Sequence, residues 1–314
     1  MTVAVSLGYW QDRPPEEAFA TAQLADALGY PELWLGEMAT YDAFALATAV
    51  GLRTDRIPLT LGPFPVAVRD PAMIAMGAAS VAAITGRPVG VALGTSSPLV
   101  VEQWHGRSRS RPATALAESA QAVRALLDGE KSAVDGQVVA SRGYRLRLPA
   151  PRSPLTIAAF GPAAVRVAAR YADRMVVNLV SPNMAAELVA ALGDGPRPRV
   201  AAWVIAAVDA GRDALDQLRR GVVGYLAAPG YAEMFAREGF AELVAFARTR
   251  PHPRDLLAAV PFELVAAVGV LGDEAAARAR IAAYHKAGVD EVVLVPAATA
   301  EDPAGERTLR ALAP

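Results

Sequence analysis

Residues 57–94 read IPLTLGPFPVAVRDPAMIAMGAASVAAITGRPVGVALG, and the pattern of this stretch decides the fold class. Ile57–Gly62 is a short β-rich run. Asp70-Pro71 follows, a capping acid with proline at the first helical position. Ile74, Ala78, Val81 and Ile84 then recur at helical spacing until Gly86 stops the helix. Pro88–Leu93 is apolar throughout, as a strand covered on both faces must be.

The same alternation continues in both directions. Towards the N-terminus it gives a strand at Val3–Tyr9, a helix at Pro15–Leu28 ended by Gly29, a strand at Leu33–Gly36 and a helix at Asp42–Leu52. Beyond residue 94 it gives a helix at Pro112–Asp128, a strand at Leu155–Ala159, a helix at Pro162–Tyr171 and a strand at Met175–Asn178. A helix at Asn183–Leu192 and a strand at Val200–Val208 follow. Asp273 caps a last helix, and Glu291–Val295 is the eighth strand. Two segments break the rhythm. Within 130–153, Val134–Val139 and Tyr144–Leu148 look like an inserted hairpin, and 211–268 is a helical stretch too long for one crossover. Eight strands with helices between them imply a parallel (β/α)8 TIM barrel, one domain over 1–314 carrying those two insertions. An open doubly wound sheet shares the periodicity and remains the alternative.

Composition narrows the function. Hydrophobic residues make up 53% of the 314 and charged residues 20%, enough for a large core. A formal net charge of −1 gives no reason to expect nucleic acid or an anionic membrane as partner. There is no cysteine, which excludes disulfides, thiolate metal sites and cysteine nucleophiles. His105, His252 and His285 are too scattered to suggest a metal site. No GxSxG elbow supports serine hydrolysis. The opening segment lacks a basic leader or a long apolar run, so a soluble cytoplasmic protein is expected.

In a TIM barrel the active site gathers at the carboxyl ends of the strands. Here these ends are rich in glycine, aromatic and small polar residues: Gly8-Tyr9-Trp10, Gly36-Glu37-Met38, Gly62-Pro63-Phe64, Gly94-Thr95-Ser96-Ser97, Ala159-Phe160-Gly161 and Asn178-Leu179-Val180-Ser181. Glycines let backbone approach a flat ligand and aromatics wall it, although strand–helix turns need glycine in any case. Glu37 is a candidate proton donor, because partial burial beside a ring raises a carboxyl group's pKa; a solvent-facing glutamate is the equal alternative. His105 is a second candidate acid, with Glu102 three residues earlier to orient it, and a surface role is the alternative. Trp10, Trp203 and Tyr225 are candidates to line a substrate pocket, or else they are core. Gly161-Pro162 opens a helix whose free amides suit an anion.

The stretch Leu61-Gly62-Pro63-Phe64-Pro65-Val66-Ala67-Val68-Arg69-Asp70-Pro71 resembles the third-strand signature of the bacterial luciferase-like superfamily. Gly86-Arg87 with Val91-Ala92-Leu93-Gly94-Thr95 is similar to its fourth strand. Tyr30 to Trp34, Ala172-Asp173 and Ala287-Gly288-Val289-Asp290-Glu291-Val292 match other recurrent pieces, so the likeness spans about residues 3–295. Gly94–Ser97 and the run Tyr225…Pro229-Gly230-Tyr231…Phe235…Gly239-Phe240 resemble the actinobacterial deazaflavin-dependent oxidoreductases. The resemblance implies coenzyme F420, with FMN as alternative, and hydride transfer to or from a small organic substrate. Phe235, Phe240 and Phe246 in the 211–268 stretch hint at an apolar one, or equally are core of that stretch or of a dimer interface. It implies a cis peptide at Gly62–Pro63 behind the central ring, with Gly62, Pro63, Phe64, Gly94 and Asn178 at the cofactor. It also puts the cofactor's phosphate between Thr95-Ser96-Ser97 and Phe160-Gly161. Relatives often carry an Asp-His pair where this chain has Glu37-Met38, so the histidine is missing. A homodimer is implied as well. An FMN-dependent monooxygenase and a non-catalytic flavin-binding protein are the competing functions.

Overall fold

The structure, a computed structural model, describes residues 2–8, 13–37 and 39–314. Strand β1 (Thr2–Ser6) leads to helix α1 (Pro15–Ala27), β2 (Leu33–Leu35) to α2 (Ala43–Gly51), β3 (Leu59–Pro65) to α3 (Pro71–Thr85) and β4 (Val89–Gly94) to α4 (Pro112–Leu127). A small antiparallel hairpin, β5 (Ala133–Asp135) and β6 (Ala140–Arg142), comes next. Then β7 (Leu155–Ala158) leads to α5 (Pro162–Tyr171), and β8 (Arg174–Asn178) to α6 (Pro182–Ala190). β9 (Arg199–Val208) opens into α7 (Arg212–Val223), α8 (Tyr231–Phe235), α9 (Ala241–Arg248), α10 (Pro253–Ala259) and α11 (Phe262–Val268). β10 (Gly269–Gly272), α12 (Glu274–Lys286), β11 (Glu291–Pro296) and α13 (Glu306–Ala311) complete the chain.

The strands pair in the order β9-β11-β1-β2-β3-β4-β7-β8, and β8 pairs back onto β9. Every one of these pairings is parallel, so eight strands close into a (β/α)8 barrel. The sheet could not have stayed open, because both its edges are β-strands that meet. β4 and β11 are buried along their whole length, as barrel strands with helices outside and side chains inside must be. The helix starts follow the capping pattern: the Asp42, Asp70 and Asp273 carboxylates accept the amides of Ala45, Met73 and Ala276 at 2.9, 2.9 and 2.8 Å.

At the amino ends of the strands a polar cluster fills the barrel floor. Arg174 Nη1 donates to Glu32 (2.5 Å) and Glu291 (2.9 Å), and Nη2 and Nε donate to Thr60 and Thr156. Its guanidinium lies 4.2 Å from the Trp34 ring centroid, and Trp203 meets Trp34 edge-on at 5.6 Å. Burial pushes both carboxyl groups up. For Glu32 the hydrogen bonds and charge of Arg174, with the Thr60 hydroxyl, outweigh it and hold the group below the carboxylate range. Glu291, the more deeply buried of the two, stays above it.

Three boundaries differ from the sequence reading. β3 does not end at Gly62 but runs to Pro65, because its register on β4 shifts between Leu61 and Phe64. The hairpin returns at Ala140–Arg142 rather than Tyr144–Leu148. Its turn is held by Glu118, whose carboxylate accepts the amides of Gln137, Val138 and Val139. β10 had no sequence counterpart. β9 outruns its pairing with β8, which stops at Trp203, and β10 covers the edge left at Ile205–Val208.

Candidate active site

The bulge in β3 shapes one wall of the barrel mouth. Gly62–Pro63 is cis, as the resemblance implied. Gly62 has φ +103°, and a Cβ there would stand 2.4 Å from the Ala92 carbonyl oxygen, so only glycine fits. A Cβ on Gly94 would come within 3.1 Å of Pro63. The two glycines thus let β3, Pro63 and β4 pack closely into a shelf of backbone. Phe64 is not part of that shelf. Its ring is fully buried and stacks on Phe44 of α2 at 4.7 Å, outside the barrel, so only its backbone can face a ligand.

Glu37 lies at the rim of the same wall, in a setting the sequence did not suggest. Arg69 Nε donates to its Oε1 at 2.7 Å and Nη2 to its Oε2 at 2.5 Å, a two-pronged ion pair. The Ala43 amide adds a third bond at 3.3 Å, and Arg69 also reaches Asp42. Hydrogen bonds and charge from Glu37, joined by Asp42, drive the Arg69 guanidinium further into its protonated form. A carboxylate gripped in this way anchors the bulge, and the proton-donor role expected of Glu37 finds no support in its contacts.

The loop after β4 carries the polar residues of the second wall. Arg109 binds it from outside, donating to the Thr95 and Ser96 carbonyls at 3.3 and 3.0 Å and to Thr95 Oγ1 at 3.3 Å. Ser97 Oγ accepts the Val100 amide at 3.3 Å, just before the π-helical turn Leu99–Trp104, whose N-cap is Pro98. Thr95 is half-buried, and Ser96 and Ser97 are exposed. His105 ends the π turn on the surface, as do Glu102 and Trp104. Among the described residues Glu102 makes no hydrogen bond to His105, so the expected acid–orienter pair does not form.

On the opposite wall the helical insertion folds down onto β7 and β8. Tyr231 stacks on Phe160 at 4.2 Å and donates to the Asn178 carbonyl at 3.0 Å. Gly230 makes this possible, since a Cβ there would stand 2.7 Å from the Phe160 ring. Tyr225 packs edge-on against Tyr231 at 4.8 Å, and its oxygen accepts from Asn178 Nδ2 at 3.4 Å. Burial pushes the Tyr225 phenol up, so it keeps its proton at neutral pH. Gly161 caps α5 without any side-chain partner, and a Cβ there would meet nothing within 4 Å. Trp203 is buried against Trp34 in the barrel interior, beneath the mouth and not on its rim. Of the insertion's other aromatics, Phe235 is core and Phe246 is 37% exposed. Trp10 lies outside the described residues.

The sequence reading missed Arg69, Arg109 and Tyr231 as parts of the site. Arg69 could have been found by asking which charge answers Glu37 on the neighbouring strand end. Tyr231 offered no such signal, because its partner lies on β8, far away in sequence.

The profile of the luciferase-like monooxygenase family matches residues 2–291. The chain belongs to that family. A protein of Mycobacterium tuberculosis that carries the provisional name coenzyme F420-dependent oxidoreductase is 27% identical, with 96% of each chain covered. Among solved structures, the coenzyme F420-dependent tetrahydromethanopterin reductase of Methanopyrus kandleri superposes with a TM-score of 0.84 at 20% identity, covering 100% of this chain and 98% of that one. The oxygenating constituent of 3,6-diketocamphane monooxygenase of Pseudomonas putida, solved with FMN, gives 0.70 at 18% identity, with 100% and 97% covered. Luciferase-like enzymes are oxidoreductases, and this chain is an enzyme of that kind. Among the described residues no cluster of acidic or histidine side chains could hold a metal ion, and no helix is long and apolar enough to cross a membrane.

Proposed function

We propose that the chain is a coenzyme F420-dependent oxidoreductase acting on a small, apolar organic substrate. The observation that carries this reading is the shelf of Gly62, Pro63 and Gly94 at the mouth, where β3 and β4 approach so closely that a Cβ on Gly62 would strike the Ala92 oxygen and one on Gly94 would press on Pro63. The name of the mycobacterial relative, which covers nearly the whole chain, supports it. The uncapped amides at the start of α5, with the Thr95 and Ser96 hydroxyls, suit the phosphate end of such a coenzyme.

When bound, the deazaflavin supplies a hydride carrier at its C5. The protein's own contribution is binding, orientation and protons. Gly62 and Pro63 would back the ring and Gly94 would let it approach the sheet. Asn178 and the Phe160–Tyr231 stack would close the opposite side and exclude water. Tyr225 is the proton source we favour over Glu37 and His105. Its oxygen accepts from Asn178, its own proton has no acceptor among the described residues, and burial keeps it protonated. Phe240, half-buried in the same insertion, would give the pocket its apolar character. We also infer a homodimer, from Met73 and Met76, each 49% exposed on one face of α3; light scattering that finds only monomer would remove it.

Parallel fluorescence titration of the purified protein with F420 and with FMN tests the reading. Tight binding of F420 alone is the expected result. FMN alone would move the protein to the oxygen-using branch of the family, and binding of neither would overturn a cofactor role.

A further inference from the structure

Beside the barrel mouth lies a cleft of about 400 Å³, walled by the segment after β3, the loop after β4, the start of α4 and the turn of the β5–β6 hairpin. Five consecutive lining residues read Arg107-Ser108-Arg109-Ser110-Arg111. None of the three guanidinium groups is paired with a carboxylate among the described residues. Arg109 spends its bonds on the neutral Thr95 and Ser96 carbonyls and the Thr95 hydroxyl, and Arg111 donates to the Gln137 side-chain oxygen at 2.6 Å. The Arg107 side chain bonds to nothing among the described residues. The one acid in the lining, Asp70, is engaged through Oδ1 in capping α3, and the nearby Glu118 is occupied by the hairpin amides. Asp70 and Glu118, which Arg111 reaches electrostatically, offset part of the charge, but three guanidinium groups line the cleft against one carboxylate, so it stays positive overall.

Spacing says what would neutralise it. The arginines stand at alternate positions in a stretch without regular structure, so their Cα atoms span at most about 13 Å at roughly 3.3 Å per residue. A single phosphate cannot satisfy forks spread over that length, whereas a chain bearing an anion every few ångströms can. Guanidinium groups match carboxylates in two-pronged geometry. Thr95 belongs both to this cleft and to the loop that would hold the coenzyme's phosphate end, so a chain leaving that end passes directly into it.

We infer that the Arg107–Arg111 cleft binds the oligo-γ-glutamyl tail that coenzyme F420 carries beyond its phosphate and that FMN lacks. The inference rests on the reading of the mouth as an F420 site. It makes the cleft, and not the ring shelf, the part that separates the two cofactors.

The test compares the coenzyme bearing its glutamyl tail with the same coenzyme trimmed to its phospholactate, on the wild type and on the Arg107→Gln/Arg111→Gln variant, by fluorescence titration. The wild type should bind the tailed form about tenfold more tightly at low ionic strength, and the advantage should shrink as salt is added. The double variant should lose that advantage and bind the trimmed form as the wild type does. Equal binding of both forms by the wild type would overturn the tail site while leaving the F420 reading intact, as would an advantage that survives in the variant. If neither form binds the wild type, the F420 reading falls. Calorimetry with free oligo-γ-glutamate then decides the cleft alone: heat seen with the wild type and lost in the variant supports it, and no heat overturns it.

Discussion

At the barrel floor Arg174 lies between Glu32 and Glu291, with its remaining donors on threonine hydroxyls and its flat face on Trp34. At the mouth, among the described residues, Arg107, Arg109 and Arg111 form no ion pair with a carboxylate, and the Tyr225 proton has no acceptor. Both regions are polar, but the floor is closed on itself and the mouth is left open. A buried charge survives only when the chain supplies its partners. A charge or donor that the chain leaves unanswered in a solvated cleft is available to a ligand. Arg69 falls between the two: it sits at the mouth, yet it is ion-paired to both Glu37 and Asp42.

Removing Arg174 should break the floor most severely. Arg174→Met leaves two carboxyl groups buried against Trp34, and the expected loss is about 3–5 kcal/mol in urea unfolding. A loss below about 1 kcal/mol would mean that the floor does not depend on charge pairing. Tyr225→Phe probes the mouth. It should lower kcat about 100-fold with an unchanged thermal melt, and a normal kcat would remove Tyr225 as proton source. Gly62→Ala sits at the boundary between the two behaviours. The left-handed backbone and the Ala92 oxygen together should cost about 1–3 kcal/mol, and coenzyme binding should weaken in parallel.

Acid should separate the networks without mutation. For Asp42, burial acts upward, but the Ala45 amide and the Arg69 guanidinium outweigh it and hold the group below its ordinary value of 3.8. The unfolded chain therefore takes up this proton first. The stability that the Asp42–Arg69 link adds is fully present above that value and is lost as pH falls towards the lower folded one. Unfolding measured from neutral pH down to acid should lose this increment in Asp42→Asn, whose curve should converge with the wild type's at the acid end. Curves that stay parallel would show that the link adds nothing. The smallest effect should come from Arg107→Gln/Arg111→Gln, with stability within about 0.5 kcal/mol of wild type, because neither arginine answers a buried charge.

Much of the barrel was legible because its signals are local. Asp70-Pro71 opens α3 and Gly86 closes it within sixteen residues, and the all-apolar run at β4 declares that both its faces are covered. These depend on backbone capping and side-chain period, which neighbours in sequence settle by themselves. β10 escaped because Gly269-Val270-Leu271-Gly272 is a strand only by virtue of the edge that β9 presents to it. The hairpin slipped because a glutamate on α4 chose where its turn would be.

The site divides along the same line. The sequence by itself placed Gly62, Pro63, Gly94, Thr95 and Gly161 at strand ends, since a barrel's topology sends every such end to one face. It could not orient side chains there. Only the tertiary structure turned Phe64 outward onto Phe44, sank Trp203 onto Trp34, left His105 on the surface and tied Glu37 to Arg69, thirty-two residues away. Each of those outcomes depends on whether elements distant along the chain meet. Which partner a side chain meets is decided by how the elements pack, and no local pattern records it.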